Sequence, residues 1–308
     1  MEVSLIVLRQ IFSMTAVLMT GFVCAKKGIL DSDVARKLSS LILVITSPAV
    51  IILAFNRPLD RVLSVNLAVA ALAALIAHLV AIAVASFFFR DTKNPAENAA
   101  IVAVVFSNSG FFSFPILQEM FGNDGIFIGS AYFIVFNLLS WTYMVYVFTR
   151  DKKQVSLKKA LINPSTIAVA AGLLLYLSPV KPPQVLIAPV DAIAATNTPL
   201  AMLVTGVFVS QIDLAAAFRS ARIWLACALR LIAVPLIVFV LLHILPIDRM
   251  VAQTILVAAS APAAIGVSLF AARLEKDVAT ATSIVAVTSL LCIITLPATM
   301  LLSRMLWG

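Results

Sequence analysis

Apolar stretches of about 20 residues recur along the whole chain, separated by short polar segments. A helix needs about 20 mainly apolar residues to cross the roughly 30 Å hydrocarbon core of a bilayer. Hydrophobic residues make up 62% of the 308 residues and charged residues only 12%, whereas soluble domains have about 45–50% and about 25%. Because a soluble fold cannot bury that much apolar surface, the sequence predicts an all-helical integral membrane protein.

The length rule predicts about ten transmembrane helices. The first has no basic segment before it, so we expect it to remain as a membrane anchor rather than act as a signal peptide. The ten predicted spans are Val3–Ala25, Leu38–Phe55, Val65–Phe88, Ala99–Phe121, Ile126–Thr149, Pro164–Leu177, Pro189–Phe208, Ile223–Ile244, Val251–Phe270 and Val278–Met305.

Lysine and arginine residues of the connecting loops are unevenly shared between the two sides of the predicted membrane. Fifteen fall on one side and five, namely Arg57, Arg61, Lys181, Arg249 and Arg304, on the other. Cytoplasmic loops carry the excess of basic residues, so this asymmetry predicts a multi-pass inner (plasma) membrane protein with both termini on the non-cytoplasmic side. It also explains the net charge of +8 without nucleic acid as a partner.

The two halves of the chain share a pattern of helix-disturbing residues. Ser47-Pro48 recurs as Thr198-Pro199 at a separation of 151, and Asp124 recurs as Asp277 at a separation of 153. A half with five spans must present its copy upside down, as in transporters built from inverted repeats. We therefore predict two inverted five-helix repeats, residues 1–150 and 163–308, joined by a cytoplasmic loop of residues 151–162.

Polar and helix-breaking residues interrupt the fourth and ninth spans. A proline inside a helix removes a hydrogen bond and costs about 3 kcal/mol, and broken helices persist in a membrane only where protein or a wet cavity surrounds them. Crossing half-helices would direct partial positive charge into a shared cavity and favour anions. The residues predicted to break the helices are Gly110, Pro115, Pro262 and Gly266.

Asn108 is the sharpest candidate for substrate binding, because its amide can donate a hydrogen bond to a carboxylate without carrying charge. Its alternative role is a hydrogen bond between helices. The separation of 153 places Ser107 to Gly110 opposite Ser260 to Ala263. The full set of residues expected to line one shared cavity is Asn108, Ser107, Ser109, Ser260, Pro262, Ala263, Asn197, Thr198 and Ser47.

Few ionisable groups fall within the spans. Arg230 lies about 10 Å into the eighth span, where it is expected either to snorkel to the headgroups or to attract substrate or form a gate ion pair. His78 is a candidate proton site, with a buried neutral imidazole as the alternative. No Asp or Glu is expected within the membrane, and Cys24, Cys227 and Cys292 lack metal-ligand spacing, so no metal and no cofactor are predicted.

Several stretches resemble the auxin efflux carrier family of plants and its bacterial relatives, which include malonate and malate permeases. The resemblance covers nearly the whole chain. Two departures are Ser107, where the plant proteins have proline, and Ala263, where they have glutamine. The matching stretches are Ser107-Asn108-Ser109, Phe114-Pro115-Ile116-Leu117, Met120-Phe121-Gly122, Asn163-Pro164-Ser165-Thr166, Gly172-Leu173, Ala261-Pro262, Leu269-Phe270-Ala271 and Leu296-Pro297.

The resemblance implies ten helices in which the fourth and ninth cross, a substrate carboxylate held near Asn108, and rocking of one domain against another. It implies a secondary transporter of small carboxylates and a homodimer as a possible assembly. The departures make auxin doubtful and favour a small aliphatic acid such as malonate. Uptake or export, and the coupling ion, stay open.

Other functional classes fit less well. An enzyme would need a nucleophile, metal ligands or an acid–base pair, but His78 and His243 are the only histidines and no hydrolase or zinc-protease motif occurs. A channel remains an alternative because broken helices also build pores. A sodium-coupled symporter of the bile-acid type has the same architecture, and the scarcity of acidic residues argues against it.

Overall fold

The computed structural model describes the backbone of residues 2–307 and the side chains of residues 9–213 and 215–307. Within these residues the fold is all-helical, with one isolated β-bridge. Short helices Lys152–Gln154, Leu157–Leu161 and Leu214–Arg219 lie in connections. The main helices are α1 Glu2–Lys26, α2 Ser32–Phe55, α3 Arg61–Phe88, α4 Pro95–Val105, α5 109–121, α6 123–149, α7 Pro164–Leu177, α8 Gln184–Ser210, α9 Ala221–Ile244, α10 Arg249–Ser260, α11 Ile265–Arg273 and α12 Val278–Trp307.

Seven helical segments among the described residues are long and apolar enough to cross a membrane, and α4 and α10 are shorter apolar helices. Loop residues define where several helices begin, because an Asp or Asn side chain accepts a hydrogen bond from a backbone N–H of the first turn. The protein is therefore a multi-pass membrane protein whose helix starts are set by polar caps in the loops. These caps include Asp31, Asp60, Asn94, Asn163 and Asp248.

The predicted fourth and ninth spans are each two half-helices. Extended residues 106–108 separate α4 from α5, and residues 261–264 separate α10 from α11. Several predicted starts were too late. The largest differences are at α2, which begins at Ser32 rather than Leu38, and at α8, which begins at Gln184 and so has Pro189 inside it. The hydropathy rule marks the apolar part of a helix, whereas the helix itself continues to its polar end.

Helix contacts repeat between the two halves. Helix α1 packs on the second part of α8, and its counterpart α7 packs on the second part of α2. Helix α4 contacts α3 and α12, while α10 contacts α9 and α6. Each of these contacts in one half has a counterpart between the equivalent helices of the other half, as expected for two five-helix repeats. The exact repeat boundaries stay a prediction.

Helices α1 and α8 approach so closely that their backbones touch. A Cβ atom at Gly21 would overlap the carbonyl oxygen of Leu203, and one at Gly206 would overlap the carbonyl oxygen of Leu18. Small residues allow this close approach between membrane helices. The two glycines therefore fix the separation of α1 from α8.

Candidate functional site

The breaks in the two half-helix pairs meet and bond to each other through their backbones. The N–H of Asn108 donates to the carbonyl of Pro262 at 2.7 Å, and the N–H of Ala264 donates to the carbonyl of Phe106 at 2.8 Å. Ser107 and Ala263 form an antiparallel bridge between these bonds. Backbone groups freed by the helix breaks are thus satisfied by the opposite break, which permits non-helical chain at membrane depth.

This bridge corrects the predicted alignment of the halves. Ser107 pairs with Ala263, 156 positions away, rather than with Ser260 at 153. Side chains support the two breaks at the same separation: the Ser107 hydroxyl donates to the Tyr132 hydroxyl at 3.2 Å, and Thr288 accepts from the Ala263 N–H at 3.1 Å. The crossing is therefore built symmetrically from both repeats.

Arg230 lies fully buried beside the crossing. Its guanidinium donates to the carbonyls of Val104 at 2.9 Å and Ala261 at 3.1 Å, and also to Ala259. These carbonyls belong to the C-terminal ends of α4 and α10 and the residue that follows, where helix dipoles place negative partial charge. Because Arg230 is fully buried, the alternative that it snorkels to the headgroups is wrong. No described carboxylate pairs with Arg230 as a gate partner.

His78 lies fully buried on α3. Its Nδ1 is 2.8 Å from the Ala74 carbonyl, and its ring centroid is 4.5 Å from that of Tyr132. Its Nε2 has no hydrogen-bond partner among the described residues. His78 borders neither cavity described below, so its proton role stays a prediction.

A cavity of about 310 Å³, here called the Asn108 cavity, opens at one end of the crossing. The Asn108 Oδ1 accepts from the Phe111 N–H at 3.3 Å, while its Nδ2 and the Ser109 hydroxyl have no described partner. Two neutral donors are thus free for a ligand. Most of the wall is apolar and aromatic, including Phe111, Phe133, Phe136, Met144, Leu43, Val44, Ile265, Leu269 and Phe270.

Arg273 supplies positive charge to the same cavity. Its guanidinium carbon is 5.5 Å from the centroid of the Trp141 ring, which also lines the cavity. The sequence predicted Arg273 only as one of the fifteen basic loop residues on one side of the membrane, and it did not indicate Trp141. The spacing of Gly266, Leu269 and Arg273 places them on one helical face, which is the sequence signal that could have revealed Arg273.

A second cavity of about 200 Å³, here called the Asp191 cavity, is lined by residues of α2, α5, α6 and α8. Val44 of α2 lines the Asn108 cavity and Val50 of α2 lines the Asp191 cavity, about 9 Å apart along the helix. The two cavities therefore approach α2 from opposite ends. The polar residues of the Asp191 cavity are Gln118, Asn123, Asp191, Asn197 and Thr198.

Family comparison agrees with this architecture. A family model described as membrane transport protein, which represents the auxin efflux carrier family, matches residues 6–157 and 148–300. The chain belongs to this family. No curated protein matches this membrane transport protein significantly. The family is one of transporters and not of enzymes.

The predicted binding residues of this membrane transport protein do not share one cavity. Ser107, Asn108 and Ser109 line the Asn108 cavity, whereas Asn197 and Thr198 line the Asp191 cavity. Ser47 is buried between them, where it and Thr46 donate to the Asn197 Oδ1 at 3.0 Å and 2.7 Å. The residues that line neither cavity are Ser47, Ser260, Pro262, Ala263 and Arg230.

Three predicted helix breakers do not break a helix. Gly110 lies in the π-helical turn 109–113, where a Cβ would come within 2.9 Å of the Phe133 ring, so its small size serves packing. Gly266 lies in the first turn of α11, where a free N–H is tolerated. Pro115 lies just after the π-helical turn of α5, at the start of its α-helical part, where a missing N–H is tolerated. Only Pro262 lies in a break.

The expectation of no acidic residue within the spans does not hold for α8, which is long and apolar enough to cross a membrane. Asp191 lies inside α8 and lines the Asp191 cavity. In the part of the chain that the structure describes, no group of three or more His, Cys, Asp or Glu side chains has the arrangement of a metal site.

Proposed function

We propose that this membrane transport protein is a secondary carrier that moves small organic anions by alternating access. The observation that carries the proposal is the relation between the two cavities. Ser40, Leu43 and Val44 line the Asn108 cavity, and the residues 151 positions later, Asp191, Ala194 and Ala195, line the Asp191 cavity. Such a symmetry-related pair is consistent with inverted repeats that rock around a central site and open it to either side in turn.

A polar clamp lies between the two cavities. Thr46 and Ser47 of α2 both donate to the Asn197 side chain of α8, and all three side chains are buried. Buried hydrogen bonds hold a defined geometry because breaking them leaves groups unsatisfied at about 1–3 kcal/mol each. We take this clamp as part of the barrier between the cavities.

The lining of the Asn108 cavity favours a particular kind of anion. Asn108 and Ser109 offer neutral donors for a carboxylate, and Arg273 offers one positive charge. The surrounding wall is largely apolar and includes five aromatic rings, so a second carboxylate, as in malonate or malate, would lose hydration where it meets this wall. We therefore propose a monocarboxylate with an apolar or aromatic body as substrate, in preference to the dicarboxylates that the departures from the plant sequences suggested.

The test is flux in proteoliposomes with labelled indole-3-acetate, malonate and malate, with and without imposed sodium gradients. Asn108→Ala removes the free amide donor, and Asn66→Ala is the matched control because Asn66 is a buried amide that lines neither cavity. We expect saturable flux of the monocarboxylate, lowered about ten- to hundredfold by Asn108→Ala and unchanged by Asn66→Ala.

Full flux in Asn108→Ala would remove this residue from the binding site. Flux that never saturates would favour a channel, and flux that requires sodium would favour the sodium-coupled symporter.

A further inference from the structure

Asp191 is an unusual residue for its position. It is the only charged residue of α8, which runs over Gln184–Ser210, and it lies about 10 Å along the helix from Gln184. A carboxylate within a membrane helix costs about 2.5–3.5 kcal/mol at the helix centre, and such residues face a water-filled cavity or mark a functional site. Asp191 lines the Asp191 cavity.

No positive charge neutralises Asp191. None of the ion pairs among the described residues includes it. The segments packed against the first part of α8 are residues 42–55 and 197–210, and neither contains a titratable side chain. Among the described residues, Asp191 is the only charged residue that lines the cavity. Asp124, which follows the lining residue Asn123, is paired with Arg57.

The other polar groups of the cavity favour a proton over a metal cation. A sodium ion needs several oxygen ligands. The Asn197 Oδ1 already accepts from Thr46 and Ser47, and the Asn123 Oδ1 accepts from the Gln118 amide at 3.3 Å. The side-chain oxygens of the wall that are not already engaged, apart from the Asp191 carboxylate, are the Gln118 Oε1 and the Thr198 hydroxyl. The NH₂ groups of Asn123 and Asn197 donate to a carboxylate but cannot bind a cation.

We propose that Asp191 is a proton-binding site whose occupancy permits the Asp191 cavity to close. A charged carboxylate must keep its water, because burying it without a partner is costly. When a proton from the water in the cavity binds the carboxylate oxygen, the group becomes a neutral acid and the cavity can close around it. The inference rests on the proposed alternating access and adds its control by protons.

The experiment measures closure directly and needs no substrate. In a chain with Cys24, Cys227 and Cys292 replaced, Thr198→Cys reports access to the Asp191 cavity by a membrane-impermeant thiol reagent. Val180→Cys, on an exposed loop residue, corrects for the pH dependence of the thiol chemistry. The backgrounds compared are native, Asp191→Asn, Asp191→Glu, and the control Glu119→Gln, an exposed carboxylate that lines neither cavity.

Acidification is expected to lower labelling of Thr198→Cys several-fold in the native, Asp191→Glu and Glu119→Gln backgrounds. Asp191→Asn mimics the neutral acid, so its labelling should be low at every pH. Equal pH dependence in Asp191→Asn and in the native background would overturn the proposal. Closure driven by sodium at constant pH would overturn it too.

Flux measurements separate this inference from the proposed function. Anion flux that saturates, together with labelling that does not depend on Asp191, would leave the carrier function in place and remove the proton site. Absence of flux for every anion, together with the expected labelling, would leave the proton site in place and remove the proposed substrate class.

Discussion

Arg230 shows how a single residue can hold a membrane crossing without an acidic partner. Its guanidinium bonds carbonyls of both repeats, at the C-terminal ends of α4 and α10. Sequence alone predicted how far along its helix Arg230 lies, because that distance follows from counting residues. Its partners could not be predicted, because backbone carbonyls have no residue identity to read. The backbone hydrogen bonds between the two breaks could not be predicted for the same reason.

Replacing Arg230 with methionine is expected to destabilise the protein by about 3 kcal/mol or more, because three buried carbonyls lose their donor. Thermal unfolding in lipid nanodiscs measures the change. The unfolding temperature of Arg230→Lys should lie between those of the native protein and Arg230→Met, since an ammonium keeps the charge but not the planar array of donors.

Arg249→Met is the control, because Arg249 is exposed at the start of α10. If Arg230→Met unfolds at the same temperature as this control, the crossing does not depend on the guanidinium.

At the scale of helices, the breaks were predictable and their register was not. Polar residues and Pro262 indicated where the fourth and ninth spans are interrupted. The alignment failed because 17 residues separate Ser107 from Asp124 but only 14 separate Ala263 from Asp277, so one fixed separation cannot align both. The backbone bridge resolves this by pairing Ser107 with Ala263.

The close approach of α1 and α8 leads to a prediction at the scale of helices. Gly206→Ala should destabilise the protein by about 1–3 kcal/mol, because the added methyl group overlaps the Leu18 carbonyl and forces α1 away from α8. Chemical unfolding in mild detergent measures it.

Gly266→Ala is the matched control, since a Cβ there meets nothing within 4 Å. It should be neutral or slightly stabilising, by up to about 1 kcal/mol. Equal stability of the two variants would show that α1 and α8 do not need their close approach.

At the scale of the whole molecule, the single shared cavity predicted from the sequence became two. The sequence placed Ser47, Asn108 and Asn197 near one another but contained no signal for the barrier between them. A side chain's position along its helix decides which cavity it meets, and that depends on how α2 and α8 pack. The Arg57–Asp124 pair, which joins the loop after α2 to the first turn of α6, is another contact of this kind.

Breaking this pair is expected to open the Asp191 cavity, because Asp124 adjoins the lining residue Asn123. Arg57→Asp and Asp124→Arg should each raise labelling of Thr198→Cys, and the double reversal should return it towards the native level. Labelling that stays raised in the double reversal would mean that each change acts by itself rather than through the ion pair.

The crossing also constrains how the protein is made. The Asn108 N–H and the Phe106 carbonyl bond to Pro262 and Ala264, about 156 residues later in the chain. At a synthesis rate of about 5–20 residues per second, the first break waits roughly 10 to 30 s for the second to emerge. During that interval the Asn108 N–H and the Phe106 carbonyl must be shielded by water, by the insertion machinery or by a temporary helical conformation. The first half of this protein can therefore complete its fold only after the second half has entered the membrane.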